Sequence, residues 1–368
     1  MAIVLHQATT SVVLLPMRLP RVLILLLAMA STWTTARALV VLYAGKPAQY
    51  EEYAQALQKE FELAQLEATI TNDLDCTNAE YIVFSPKGPL LTITPTTTTD
   101  CFARYPNLKA VLSLRAGVEG TESVPLDIPI TRCCDAGLKE GMVEYVVGHV
   151  LRYHLGMDQY RQNQRDGKWK PLVAMPTLAR QRTVGILGLG ELGRACAQTL
   201  SALNFRVCGW SRTPKSDRKS ETNDAVTCFH GPTGLQQVLN VADVLVVLLP
   251  ATPETHHILN ATTFAQCKPG VAIINVGRGS AIHEDDLLQA LGDDNEGRSV
   301  VSGATLDVFE TEPLPADHKF WKHPKIFVTP HVAAKSRPDT TSRLVVENIK
   351  RNENGQPMLY QINRKLGY

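Results

Sequence analysis

Two sets of residues in this chain have types and spacings suited to chemistry. The first lies in TVGILGLGELG, Thr183 to Gly193, where Val184 to Leu187 has strand character and runs into Gly188-x-Gly190-x-x-Gly193. An amphipathic segment, Arg194 to Phe205, follows directly. Strand, glycine turn and helix in that order suit a dinucleotide pyrophosphate: a tight turn, a close backbone approach to the phosphates, and a helix packed near its strand. The free N–H groups of the helix start then face the anion. A bare GxGxxG also arises in ordinary glycine-rich loops, so its context decides. About 20 residues on, many NAD sites carry an acid for the ribose hydroxyls. Here the turn reads Trp210-Ser211-Arg212-Thr213-Pro214-Lys215. Ser211, Arg212, Thr213 and Lys215 would bind a 2′-phosphate that a carboxylate would repel, which points to NADPH; the alternative is a plain basic turn. The second set is Arg278 and His331. Arg278 offers a permanently charged planar fork that matches a carboxylate, although on the residues alone it is equally a surface-loop arginine. His331 follows Thr329-Pro330 just past a strand, where α/β sheets place their ligands.

The elements that must position these groups alternate along the chain. The sequence of 368 residues is long enough for two domains, and 44% hydrophobic with 20% charged residues describes a globular protein. A formal charge of +1 gives no reason to expect nucleic acid or an anionic membrane as partner. The eight cysteines show no CxxC pair or metal-ligand rhythm, so they are expected as reduced thiols. Strands are expected at Leu39–Ala44, Tyr81–Phe84, Ala110–Leu114, Ile128–Arg132, Val207–Trp210, Val244–Leu248, Ala272–Asn275, Ser302–Leu306 and Ile326–Thr329. Helices are expected over Pro47 to Ala68, Gly141 to Arg165 and Pro338 to Asn354, with a loop from Thr92 to Asp100 and an extended arm around Trp169. This alternation implies an α/β fold of two doubly wound parallel-sheet domains, Rossmann- and flavodoxin-like. The dinucleotide-binding domain, residues 179–331, is inserted into a substrate domain of residues 39–178 and 332–368. Residues 1–38 read as a targeting leader. They lack acidic residues, carry Arg18, Arg21 and Arg37, and hold a nine-residue apolar run from Val22 to Ala30 before Ala36-Arg37-Ala38. That run is short of the roughly 20 residues a membrane span needs. The destination expected is an organelle, mitochondrion or plastid, entered directly or through the secretory route from Met1 or Met17, with the cytoplasm as alternative.

The glycine motif, Leu249-Pro250-Ala251-Thr252-Pro253-Glu254-Thr255, Asn275-Val276-Gly277-Arg278-Gly279, Leu306-Asp307-Val308-Phe309 with Glu312-Pro313-Leu314, and Thr329-Pro330-His331 resemble the D-isomer-specific 2-hydroxyacid dehydrogenases. Leu114-Arg115-Ala116-Gly117-Val118, Glu144-Tyr145, Trp169-Lys170-Pro171-Leu172, Phe320-Trp321-Lys322-His323-Pro324 and the terminal Gly367-Tyr368 are similar to the glyoxylate/hydroxypyruvate reductase A branch. The likeness runs from residue 39 onward.

The resemblance implies reduction of a small 2-keto acid by NADPH. Arg278 would hold the carboxylate and polarise the ketone, and His331 would act as general acid. Glu312 would bond the imidazole and favour its charged form, so reduction should decline as pH rises. Gly188, Leu189, Gly190, Glu191, Leu192 and Gly193 would cradle the pyrophosphate. Leu249, Pro250, Val276 and Gly277 would line the cofactor cleft, and Asp307 would fix the nicotinamide carboxamide. Backbone N–H groups of Ala116, Gly117 and Val118 would form a second cradle for the substrate carboxylate. Arg115 would add charge or simply pack, Trp169 would enter a neighbouring subunit's cleft or pack a dimer, and Trp321 would line the substrate site or serve as core. A homodimer is expected, with neither metal nor nucleic acid. Two alternatives stand beside this: a non-catalytic dinucleotide sensor of the corepressor kind, and another family dehydrogenase, such as one acting on phosphoglycerate.

Overall fold

Short apolar runs, each bounded by polar turns, pair into two parallel sheets. The computed structural model describes residues 37–364 apart from residues 87, 93–99, 174, 215–225 and 293–298. The leader through residue 36, most of the threonine-rich loop, Lys215 and the terminal Gly367-Tyr368 thus lie outside the described residues. The first part of the chain contains β1 (Leu39–Ala44), α1 (Tyr50–Ala64), β2 (Ala68–Thr71), β3 (Tyr81–Phe84), β4 (Ala110–Ser113) and β5 (Ile130–Thr131). Its strands are ordered β2-β1-β3-β4-β5, the flavodoxin-like arrangement. Helix α1 buries Tyr53, Leu57 and Phe61, four residues apart on one face, and ends where Gln65 turns left-handed at φ 58°. The helix expected through Ala68 therefore stops earlier, and Ala68–Thr71 becomes an edge strand beside β1.

Helices α2 (Ala136–His154) and α3 (Met157–Arg165) replace the single helix expected to Arg165. Gly156 takes φ 62° between them and breaks the run. The chain then builds β6 (Thr183–Leu187), α4 (Glu191–Ala202), β7 (Arg206–Ser211), β8 (Val226–His230), α5 (Gly231–Val241), β9 (Val244–Val247), β10 (Val271–Asn275), α6 (Glu284–Leu291), β11 (Val301–Leu306), β12 (Ile326–Val328) and α7 (Pro338–Glu353). The second sheet runs β12-β11-β10-β9-β6-β7-β8. Its order reverses between β6 and β9, so the glycine turn after β6 opens at the switch point where such sheets bind ligands. Strand β8 was not anticipated: it is a mostly exposed edge strand, and its pairing with β7 rather than an apolar run makes it a strand.

Two helices tie the halves together. Met142, Val146 and Val150 of α2 pack on Val184, Ile186, Cys196 and Leu200, so this helix covers the second sheet although it precedes it in the chain. Helix α7 returns to the first sheet, where Val345, Val346 and Ile349 join Val41, Tyr43 and Leu57. Full burial of side chains of this size contributes roughly 1.5–3 kcal/mol each. All eight cysteines are free and six are buried, as expected for reduced thiols. Among the described residues no helix is long and apolar enough to cross a membrane.

Asp135 fastens α2 to α7. Its buried carboxylate accepts the Leu138 N–H at 2.8 Å as the N-cap of α2, and the hydroxyls of Thr340 at 3.1 Å and Thr341 at 2.5 Å. Asp135→Ala removes the cap and strands two hydroxyls. It should cost about 3 kcal/mol in urea denaturation, and a loss below about 1 kcal/mol would show that the tie carries little of the stability.

Candidate active site

The glycine turn has the geometry its spacing implies. Gly188 adopts φ 106° and donates its N–H to Trp210 O at 2.9 Å. A Cβ on Gly193 would lie 1.9 Å from Gly188 O, so only glycine lets α4 approach the turn this closely. At Gly190, by contrast, a Cβ would meet no protein atom within 4 Å. A cavity of about 350 Å³ opens there, lined by residues of the glycine turn, Trp210 to Thr213, Leu248 to Pro250, Val276 to Arg278 and Ala116 to Glu119. These segments lie at or just past the C-terminal ends of strands β4, β6, β7, β9 and β10, so both sheets contribute. Leu189, Glu191, Leu192, Leu249, Pro250, Val276 and Gly277 line it. Glu191 also bonds Lys139 of α2 at 2.9 Å and pairs with Arg194.

At the turn after β7, Ser211 is buried and its hydroxyl donates to Thr213 O at 2.8 Å. Arg212 reaches Glu254 at 3.0 Å in a partly exposed pair. Both Ser211 and Arg212 line the cavity, with Thr213.

Arg278 stands on the turn after β10. Asn275 shapes that turn, accepting Gly277 N–H at 3.2 Å and donating to Arg278 O at 3.0 Å. The guanidinium is held by Glu119, with Nε to Oε1 at 2.5 Å and Nη2 to Oε2 at 2.9 Å, while Nη1 donates to Gly277 O at 2.6 Å. Burial would raise the Glu119 carboxyl, but the hydrogen bonds and charge of Arg278 outweigh it and hold the group below the usual carboxylate range.

His331 and Glu312 meet as their types suggest. The imidazole Nδ1 lies 2.7 Å from Glu312 Oε2, and Glu312 Oε1 accepts Phe309 N–H at 3.2 Å. A carboxylate on Nδ1 fixes the ring so that Nε2 faces away from it. His331 has φ 54°, a left-handed backbone unusual for a side-chain-bearing residue. Its N–H is held by Asp307 O at 2.9 Å. The Asp307 carboxylate, 1% exposed, accepts Thr329 Oγ1 at 2.5 Å and the N–H groups of Val332 and Ala333 at 2.8 and 2.9 Å. Those are three of about four lone-pair sites on a carboxylate. Tyr145 of α2 completes the chain with a 2.6 Å hydrogen bond to Thr329. Burial pushes its phenol up to about 12, so it remains a donor. The arginine and histidine loops touch: a Cβ on Gly279 would lie 1.9 Å from Phe309 C, three residues before Glu312.

The sequence model for the NAD-binding domain of D-isomer specific 2-hydroxyacid dehydrogenases matches residues 147–333. A glyoxylate/hydroxypyruvate reductase A of Photorhabdus laumondii is 42% identical over 277 residues, covering 73% of this chain and 84% of that protein. The chain belongs to the D-isomer-specific 2-hydroxyacid dehydrogenases. Among solved structures, this dehydrogenase is similar to one from Xanthobacter autotrophicus in complex with NADPH, at 34% identity and TM-score 0.78 over 90% of this chain and 100% of that one. It is also similar to an NADPH-dependent glyoxylate/hydroxypyruvate reductase from Sinorhizobium meliloti in complex with NADP, at 32% identity and TM-score 0.75 over the same shares. The expected organellar destination is overturned by these comparisons: the curated relatives, from Photorhabdus, Serratia and Yersinia, are bacterial proteins of cells without mitochondria or plastids.

Not every expected site residue reaches the cavity of the dehydrogenase. Ala116, Gly117, Val118 and Arg278 line it, whereas Arg115, Asp307, Glu312, Trp321 and His331 do not. Trp169 is fully exposed in the arm. Trp321 is half exposed and donates its indole N–H to Pro315 O at 2.8 Å. Arg132 and Thr255 line the cavity without having been anticipated, and so does Glu119, next to a recognised cradle. Thr255 closes a recognised motif and Glu119 adjoins one, whereas nothing in the local sequence marks Arg132.

Gly193→Ala places a methyl against the Gly188 carbonyl. Dinucleotide affinity, followed by nicotinamide fluorescence, should fall about tenfold or more, and stability by about 1–3 kcal/mol. Unchanged affinity would show that the turn tolerates a displaced helix.

Proposed function

We propose that this dehydrogenase reduces a small 2-keto acid, glyoxylate or hydroxypyruvate, to the 2-hydroxy acid with NADPH. The observation that carries the reading is the Glu312–His331 pair at 2.7 Å, in loops contacting the Arg278 turn of a cavity that begins at the glycine motif. The names of the bacterial relatives and the NADPH and NADP held by the solved ones support it.

The residues present fit the cofactor. The space left open at Gly190 and the N-terminus of α4 suit the pyrophosphate. Ser211, Arg212 and Thr213 suit a 2′-phosphate, for which Arg212 would exchange its exposed partner Glu254. Asp307, buried and away from the cavity, serves instead by holding the turn that carries His331. Bound NADPH supplies the hydride. Arg278, with the backbone at Ala116, Gly117 and Val118, holds the substrate carboxylate and draws electron density from the ketone. His331 gives the Nε2 proton to the developing alkoxide, and Glu312, on Nδ1, sets the ring direction. Residues 39–178 with 332–368 form the substrate domain and 179–331 the dinucleotide domain, with α2 as a strut between them. The exposed apolar arm of Trp169, Leu172, Val173 and Met175 supports a homodimer.

His331→Gln should lower kcat for glyoxylate by about 10²–10⁴ while leaving NADPH affinity near that of the wild type. Retained turnover would remove His331 from the chemistry. Arg212→Ala should raise KM for NADPH about tenfold or more with NADH little affected; equal loss with both cofactors would point instead to a folding defect of the turn.

A further inference from the structure

We infer that Glu119 is a positioning residue for Arg278, gripping one edge of its guanidinium so that the other edge is presented to the substrate carboxylate. This rests on the reading of Arg278 as the group that binds that carboxylate. Glu119 follows the cradle residues Ala116, Gly117 and Val118 on the loop after β4, whereas Arg278 stands after β10. Their ion pair therefore spans the cleft between the two sheets.

A guanidinium carries five N–H donors in a fixed plane. Glu119 takes Nε–H and one hydrogen of Nη2, the side-on fork, at 2.5 and 2.9 Å, and Gly277 O takes one hydrogen of Nη1 at 2.6 Å. One hydrogen on Nη1 and one on Nη2 remain to meet a carboxylate. Substrate can thus dock while Glu119 stays in place.

The surroundings keep this arrangement. A Cβ at Gly117 would lie 1.8 Å from Arg278 Nη2 and 2.3 Å from Glu119 Oε2, so the backbone of the cradle closes over the pair and admits no side chain there. Arg115 adds a second positive charge that acts on Glu119, which offsets its repulsion of an incoming anion. An unguided arginine would lose more rotamer freedom on binding; here the bidentate carboxylate and the Gly277 carbonyl restrain it in advance.

The same contact could instead be a competitor, a carboxylate that substrate must displace, and the two roles predict opposite kinetics. With NADPH saturating and glyoxylate varied, Glu119→Gln should raise the KM for glyoxylate about tenfold, the loss of a charge-assisted bond. The affinity for NADPH and the thermal midpoint should stay close to wild type. Glu119→Asp keeps the charge one methylene short and should fall between the two; it also carries the test if the glutamine variant does not fold. A KM that falls or stays unchanged in these variants would overturn the inference. Arg278→Ala separates the two readings: if it keeps the wild-type KM, the role given to Arg278 fails, and if it loses binding while Glu119→Gln does not, only the role given to Glu119 fails.

Discussion

The buried carboxylate of Asp307 is the constraint on which the rest of the site depends. It gathers Thr329 Oγ1 and the N–H groups of Val332 and Ala333 around one side chain, while its own backbone carbonyl holds the N–H of His331. Four donors converging on one residue restrain His331 in a left-handed backbone that an isolated peptide would rarely adopt. Leaving such a carboxylate unpaired in the interior would be costly, so this turn has few ways to rearrange. Glu312 then meets an imidazole whose direction is already set.

This constraint links the two sheets. Tyr145 on α2 reaches Thr329, and the same helix packs Met142, Val146 and Val150 onto the second sheet. Lys139, one helical turn in from its start, bonds Glu191 of the glycine turn. Helix α2 thus touches the support of the histidine at one level and the dinucleotide cradle at another. The Glu119–Arg278 pair adds a contact from the opposite side of the cleft. The glycine turn, arginine and histidine come from three separate loops of one sheet, and it is helices and loops of the other half that hold them in a common frame.

Much of this was legible in the chain. The ten expected strands, Val184 to Leu187 included, formed near their expected bounds, because buried parallel strands are compact apolar runs that few other structures accommodate. The glycine spacing foretold its own geometry, since the steric demands at Gly188 and Gly193 are local. Less legible were β2 and β8, edge strands whose identity comes from their neighbours, and the break at Gly156 inside an otherwise helical pattern. The composition of the first 38 residues suggested a destination that the bacterial relatives do not support; composition without a fold is a weak constraint.

The strand segments along the chain and the glycine turn were determined by the sequence, because each depends on residue type and spacing within a short stretch, and motifs that recur together brought Arg278, Glu312 and His331 forward as candidates. Only the tertiary structure decided that Glu119 would claim one edge of Arg278, that Asp307 would build the turn beneath His331, and that α2 would cross from one half to cover the other. Those outcomes join residues 159, 26 and 34 or more positions apart. At such separations a partner is chosen by which groups the folded backbone leaves facing one another and by the cost of burying a polar atom without a mate, and neither is written in local order.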